Sequence, residues 1–321
     1  MQINRRTWLL GSSSLAMAGF LPACTTTPTS LKPVAQTISA GYVQHKLGNA
    51  RITAVSDGVT KRALDAGFVR NAPLPEVQAA LAAAGLPTTH IDVPYTCFVV
   101  ELDGKRYLLD TGFADNASPQ TGLLHTHMRA AGIDPASIDA VILTHMHGDH
   151  INGLRRKDGS LVYPRADVFV AQPEFTFWMD DARMNAAPEA ARGGFQAVRR
   201  VFANYPQDKI KQFVPGRQIA AGISTIAAFG HTPGHTAIAV QSEQKRFTFI
   251  GDTAHYPALF VKHPDWQVQF DMNAEQARAT RHTLLSRLAD EGGLVGGYHF
   301  PLPSLGHIHK AGSGFDWQPL T

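Results

Sequence analysis

The segment Thr144-His145-Met146-His147-Gly148-Asp149-His150 packs three imidazoles and a carboxylate into six residues, and the apolar run Ala140-Val141-Ile142-Leu143 leads straight into it. Such a run predicts a buried strand, so the cluster lies on the loop leaving the strand's carboxyl end, where α/β folds bind their ligands. In an extended backbone residues i and i+2 project the same way, so His145 and His147 can grip one cation together. Gly148 lets the chain turn sharply, which aims Asp149 and His150 at a second point. One loop therefore offers ligands to two metal ions.

A pair of ions needs more donors than one loop supplies, since zinc takes about three protein groups per ion. Gly230-His231-Thr232-Pro233-Gly234-His235 follows a predicted strand and offers His231 as a ligand and His235 as its support. Phe249-Ile250-Gly251-Asp252 puts a carboxylate directly after another apolar strand, where its two oxygens can bridge two cations. Leu109-Asp110-Thr111-Gly112 has the same form and predicts Asp110 as a brace that accepts an imidazole N–H. His299, in Gly297-Tyr298-His299, completes the set. His255 and His307 lie near these stretches and are candidates for touching substrate. His125 and His127 share the i, i+2 spacing but fall in a helical pattern, which splays them apart and predicts surface residues.

Outward from these loops the chain alternates strands with helices. Strands are expected over Ala50–Ser56, Tyr95–Leu102, Arg106–Leu109, Ala140–Leu143, Ala166–Val170, Ile219–Phe229, Ala237–Gln241, Arg246–Ile250 and Leu294–Tyr298. Asp103-Gly104 marks a hairpin between two of them. Helices are expected over Leu74–Ala84, Gln120–Ala131, Glu189–Phe202 and Asn273–Asp290. The class is α/β (α+β), with two mixed halves suggesting two sheets packed together and helices outside.

A composition 44% hydrophobic and 17% charged supports a sizeable core over 321 residues. The formal charge of +3 becomes nearly neutral once Arg5 and Arg6 are set aside, which excludes a nucleic-acid footprint. Those arginines belong to Asn4-Arg5-Arg6-Thr7-Trp8-Leu9-Leu10, ahead of a modestly apolar segment too short to remain in a bilayer. Residues 1–24 resemble a Tat export signal, and Leu21-Pro22-Ala23-Cys24 resembles a bacterial lipobox. The expectation is a periplasmic chain or a lipoprotein touching the membrane only through lipid on Cys24. Residues 25–40 read as a flexible tether and 41–321 as one folded domain. The other cysteine, Cys97, is expected as a small core residue, and neither cysteine has the CxxC spacing of a zinc ribbon.

Asp110-Thr-Gly, His145-x-His147-x-Asp149-His150, Gly230-His231-Thr-Pro-Gly, Gly251-Asp252 and a late His299 occur in the order found in metallo-β-lactamase-fold hydrolases, which the chain resembles from about Gly41 onward. The resemblance implies an αββα sandwich with two divalent metals at one edge. His145, His147 and His231 would hold one ion, Asp149, His150 and His299 the other, and Asp252 would bridge. Zinc is the expected metal, and manganese, iron or cobalt suit the same donors. Within that superfamily the chain is most similar to the methyl parathion hydrolase branch and its lactonase relatives, through Ile52-Thr-Ala-Val-Ser-Asp57-Gly, Phe177-Trp178 and Gly306-His307-Ile308. That likeness places Trp178 beside the substrate pocket. Two further aromatic positions of that branch fall at Ala117 and near Gly194, so lactones and aryl esters are favoured over bulky organophosphates.

The implied chemistry is hydrolysis by a water shared between two cations, its pKa lowered from 15.7 toward roughly 7. Asp149 and Asp252 would relay the proton. No G-x-S-x-G elbow is present to supply a serine nucleophile. The competing expectations are a β-lactamase and an exported metal-binding protein without turnover. The expected partners are small lactone, ester or phosphotriester molecules.

Overall fold

The structure, a computed structural model, describes residues 38–116 and 118–321. The expected leader with Cys24, most of the tether, and Ala117 lie outside the described residues. Among these residues no helix is long and apolar enough to cross a membrane.

One sheet has seven strands in sequential order: β1 (Tyr42–Leu47), β2 (Ala50–Ala63), β3 (His90–Leu102), β4 (Lys105–Leu109), β5 (Ala140–Ile142), β6 (Asp167–Ala171) and β7 (Ile210–Phe213). The second sheet has β8 (Gln218–Ala220), β9 (Ile223–Ala227), β10 (Thr236–Ser242), β11 (Lys245–Phe249), β12 (Leu294–Gly296), β13 (Leu305–Ala311) and β14 (Gly314–Pro319), again adjacent in chain order. Both sheets are mixed. Strands β4 to β7 pair in parallel, as do β11 and β12, and the other pairs are antiparallel. The β3–β4 turn falls on Asp103-Gly104, both at positive φ, as a tight hairpin with this dipeptide requires.

Central strands are apolar on both faces because both faces are covered. Cys97, Phe98, Val99 and Val100 of β3 are all buried, as are Ala237 to Val240 of β10. The Phe98 ring meets Phe247 and Phe249 of the other sheet at 5.3 and 4.9 Å, so the sheets share one core. Helices Leu124–Ala130, Gln172–Met179 and Glu189–Phe202 add Met128, Trp178 and Val198 to that core. Leu74–Ala83 and Ala274–Glu291 bury Leu81, Leu284, Leu285 and Leu288 in a second cluster against the other sheet. Each such leucine contributes roughly 2 kcal/mol of apolar burial. The result is the expected four-layer αββα sandwich.

Three expectations are corrected. Ile219–Phe229 is two strands, because Gly222 at φ +69 folds the chain into the β8–β9 hairpin. The carboxyl-terminal stretch, in which no strand was expected beyond Tyr298, forms the β13–β14 hairpin. The helix expected from Gln120 starts at Leu124, since Thr121 bridges to Gly58 and the Leu123 N–H donates to the Asp57 carbonyl.

Pairing direction gathers the key loops at one edge. Parallel β4 and β5 leave the sheet side by side, with the Asp110 N–H donating to the Ile142 carbonyl. Parallel β11 and β12 do the same, with the Ile250 N–H donating to the Gly296 carbonyl. Across the sandwich the Thr236 N–H donates to Thr144 O at 2.9 Å, and the Thr96 N–H to Tyr298 O at 2.8 Å. Residues distant in sequence thereby share one rim.

Candidate metal centre

Seven side chains meet at that rim. His147 Nδ1 lies 3.1 Å from His145 Nε2 and 2.9 Å from His231 Nε2. Asp149 Oδ2 is 3.4 Å from both His150 Nε2 and His299 Nε2. Asp252 sits between the groups. Its Oδ2 is 3.3 Å from His231 Nε2 and 3.2 Å from His299 Nε2, and its Oδ1 is 3.4 Å from His150 Nε2.

In four of these five rings the outer nitrogen is committed to an acceptor, while His147 turns its Nδ1 inward. His145 Nδ1 faces Thr144 Oγ1 at 3.0 Å, His150 Nδ1 faces Asp110 Oδ2 at 2.8 Å, His231 Nδ1 faces Asp271 Oδ1 at 3.0 Å, and His299 Nδ1 faces Pro94 O at 2.9 Å. The Thr144 hydroxyl is itself spent as a donor to Asp110 Oδ2 at 2.7 Å, so it accepts from His145. An N–H at each Nδ1 leaves the Nε2 lone pair pointing inward, the tautomer a metal ligand needs. Among the described residues, His150 Nε2 and Asp252 Oδ1 are buried without a hydrogen-bond partner. An unpaired buried polar atom costs about 1–3 kcal/mol, and a divalent cation among these donors would remove that cost. The donor set therefore fits metal ions, in the groups His145/His147/His231 and Asp149/His150/His299, with Asp252 reaching both.

The electrostatics agree. Burial pushes the His147 imidazole down to about 3 and His231 to about 4, which keeps both rings neutral at pH 7. Burial also opposes charge on His150, but Asp149, Asp252 and Asp110 outweigh it and hold this ring well above the usual histidine value. Three carboxylates in so small a space call for compensating positive charge.

Supporting groups fix these donors. Asp110, at φ +57, accepts from the Thr144 N–H as well as from His150, so the strained residue braces the whole histidine loop. His235 donates from Nδ1 to Ala228 O and accepts the Asp252 N–H at Nε2, 3.0 Å away. Gly251, at φ +51, leaves no room for a side chain, since a Cβ there would stand 2.8 Å from that His235 nitrogen. The sequence did not point to Asp271, Arg281 or Glu174. Arg281 is buried, donates to Asp271 Oδ2 at 3.1 Å, and pins the carboxylate that orients His231. Glu174 is buried in helix Gln172–Met179 and accepts the Met146 N–H next to His147 in the chain. Each is an ordinary acid or base in its local sequence and is marked only by burial.

A cavity of about 660 Å³ opens over the centre, in the size range of small-molecule sites. Its floor carries His147, Asp149, His231, Asp252 and His299, and its walls include Tyr95, Phe113, Tyr256 and Phe270. Arg62 lies at this cavity with its guanidinium 5.3 Å from the Phe270 ring. His255 lines the cavity. Its Nε2 is 3.1 Å from Asp252 Oδ2, it stacks on His299 at 5.3 Å, and neither ring nitrogen has a hydrogen-bond partner among the described residues.

Trp178 and His307 do not line this cavity. The Trp178 indole N–H finds its acceptor in Glu174 Oε1 at 2.7 Å, which turns the ring edge-on behind His147. A Cβ at Gly194 would pack against that indole, so this position also lies away from the wall. His307 sits on β13 with Nδ1 against Gly293 O at 3.1 Å. His125 and His127 splay as predicted but are half-buried, bonded to Tyr163 Oη and Ser56 O.

Comparison with known proteins gives the same picture. A curated N-acyl homoserine lactonase from a Bacillus species is 20% identical over 189 residues, covering 53% of this chain and 67% of the relative. The solved structure of AidC, described as a dizinc quorum-quenching lactonase in complex with its product N-hexanoyl-L-homoserine, superposes with a TM-score of 0.80 at 26% identity, covering 88% of this chain and 98% of that one. A hydrolase of the beta-lactamase superfamily, AbOPH, superposes at 0.81 with the same identity and coverage. The sequence model of the metallo-beta-lactamase superfamily matches residues 90–299. The chain belongs to the metallo-beta-lactamase superfamily.

Proposed function

We propose that this chain is a dinuclear metal-dependent hydrolase of lactones or esters, with phosphotriesters as secondary substrates. The observation that carries the reading is the set of inward-facing lone pairs on the floor of a mostly apolar cavity. His145, His147 and His231 would hold one ion, Asp149, His150 and His299 the other, with Asp252 shared between them. Zinc is favoured by the dizinc relative, and manganese, iron and cobalt suit the same nitrogen and oxygen donors. When bound, such ions supply water activation and polarisation of the carbonyl or phosphoryl oxygen.

The chain's own groups do the rest. Asp252 Oδ1, buried and unpartnered, can take the proton released by the attacking water, and Asp149, partly exposed, can pass it outward. His255 lines the cavity beside Asp252 and stacks on His299, where its ring can help seat the substrate. The aromatic walls seat an apolar substituent and exclude bulk water from the floor. The lactonase relatives favour a lactone ring as the group attacked.

The test is a substrate panel of N-acyl homoserine lactones, aryl esters, a paraoxon-type triester and nitrocefin. Expected are turnover of lactone or aryl ester above the triester, loss on chelation and in His147→Ala, and recovery when zinc is restored to the wild type. Turnover by the metal-free chain would contradict the reading, nitrocefin as the best substrate would indicate a β-lactamase, and metal uptake with no turnover would indicate a binding protein. We also read residues 1–24 as a Tat leader that exports the folded chain and leaves it at Cys24, periplasmic or lipid-anchored. Mass spectrometry of the mature amino terminus tests this, and an intact Met1 after expression in a Tat-competent host would refute it.

A further inference from the structure

We propose that Glu174 is a positioning residue that sets the His145/His147/His231 ion site independently of the Asp149/His150/His299 site. The inference rests on the two-ion reading above. Glu174 is fully buried, and its carboxylate accepts four hydrogen bonds. Oε1 takes the Met146 N–H at 3.0 Å and the Trp178 indole N–H at 2.7 Å. Oε2 takes the Thr232 hydroxyl and the Gly234 N–H, each at 2.8 Å.

These partners define its role. Met146 lies between His145 and His147, while Thr232 and Gly234 belong to the turn that carries His231. A single carboxylate therefore ties together the two loops that furnish all three imidazoles of one site. It also holds the Trp178 ring edge-on to His147, with centroids 5.8 Å apart. None of its hydrogen bonds reaches Asp149, His150 or His299. Those are held by other acceptors, Asp110 for His150 and the Pro94 carbonyl for His299. The Tyr298 hydroxyl donates to the Asp149 carbonyl, again with no link to Glu174.

The chemistry demands a carboxylate. Four donors converge on two oxygens, and only a group that accepts on both sides satisfies them. A glutamine would turn an NH₂ toward two of the four donors. Gly234 shows how closely the loop has been brought in, for a Cβ there would stand 2.4 Å from the Glu174 nitrogen.

The experiment titrates metal-free full-length chain with Co(II), following the visible absorption band and competition with a chromophoric chelator. Wild type is expected to take two ions in resolvable steps. Glu174→Gln is expected to weaken one step by about 10–100-fold, the usual effect of losing an outer-shell partner, and to leave the other within about twofold. The weakened step should be the one that His147→Ala abolishes. Equal weakening of both steps, or no change in either, would overturn the proposal while leaving the two-ion reading intact. Wild type binding one ion or none would overturn that reading, and the proposal with it. Should Glu174→Gln fail to fold, Thr232→Val decides. It deletes one donor with little change in volume, and selective weakening supports the proposal while uniform or absent weakening overturns it.

Discussion

Asp271 determines which nitrogen His231 offers to the centre, and Arg281 holds Asp271 in place through a buried ion pair. Removing one member of such a pair leaves an uncompensated charge in the core, which typically costs about 3–5 kcal/mol. Asp271→Ala is therefore expected to lower the urea unfolding free energy of the metal-free chain by about that amount. It should also weaken the ion bound by His231 about 10–100-fold in chelator competition. Unchanged affinity would mean that Asp271 does not orient the ring. The clustering of the candidate ligands was readable in the sequence because metal chemistry asks for His and Asp at short spacing on loops that leave strands. Asp271 and Glu174 were not. The loops they hold are distant in sequence, His231 lying 40 residues from Asp271 and Met146 and Thr232 lying 28 and 58 residues from Glu174, and no local pattern distinguishes these acids from solvent-facing ones.

At the scale of elements, the His231 turn is fitted against helix Gln172–Met179 with no space between them. The residue that permits this is Gly234, whose added Cβ would meet the Glu174 backbone nitrogen at 2.4 Å and its Cα at 2.7 Å. Backbone atoms on a helix cannot swing aside as a side-chain tip can. Gly234→Ala is expected to destabilise the chain by about 1–3 kcal/mol and to displace His231, measured as a lower midpoint in urea and weaker cobalt binding. A variant with wild-type midpoint and affinity would show that the turn has slack. Strands flanking the candidate ligands were legible because runs such as Ala140–Leu143 are apolar on both faces. The β13–β14 hairpin was not, since His307, His309 and Lys310 make it read as a polar loop until its pairing is seen.

At the scale of the whole molecule, Asp57 joins three segments of the first half of the chain. Its carboxylate accepts the Phe113, Gly122 and Leu124 N–H groups, all of them uncharged donors. Burial pushes this carboxyl up to about 6 from 3.8, against the pull of those donors. A raised acid stabilises the folded state fully below pH 3.8 and loses that contribution as pH rises through about 6. A tenfold change in proton affinity is worth about 1.36 kcal/mol, so relative to Asp57→Asn the wild type should lose roughly 3 kcal/mol of unfolding free energy between about pH 3.5 and 7. Parallel stability–pH curves for the two proteins would contradict this.

The sandwich matters to the chemistry because it brings ligands from both sheets to one edge, where they would hold two ions together. Anomalous diffraction from zinc-loaded crystals, recorded at the metal edge, tests this most directly. Two peaks are predicted, one among His145, His147 and His231 and one among Asp149, His150 and His299, with Asp252 bonded to both. A single peak, or peaks away from Asp252, would contradict it.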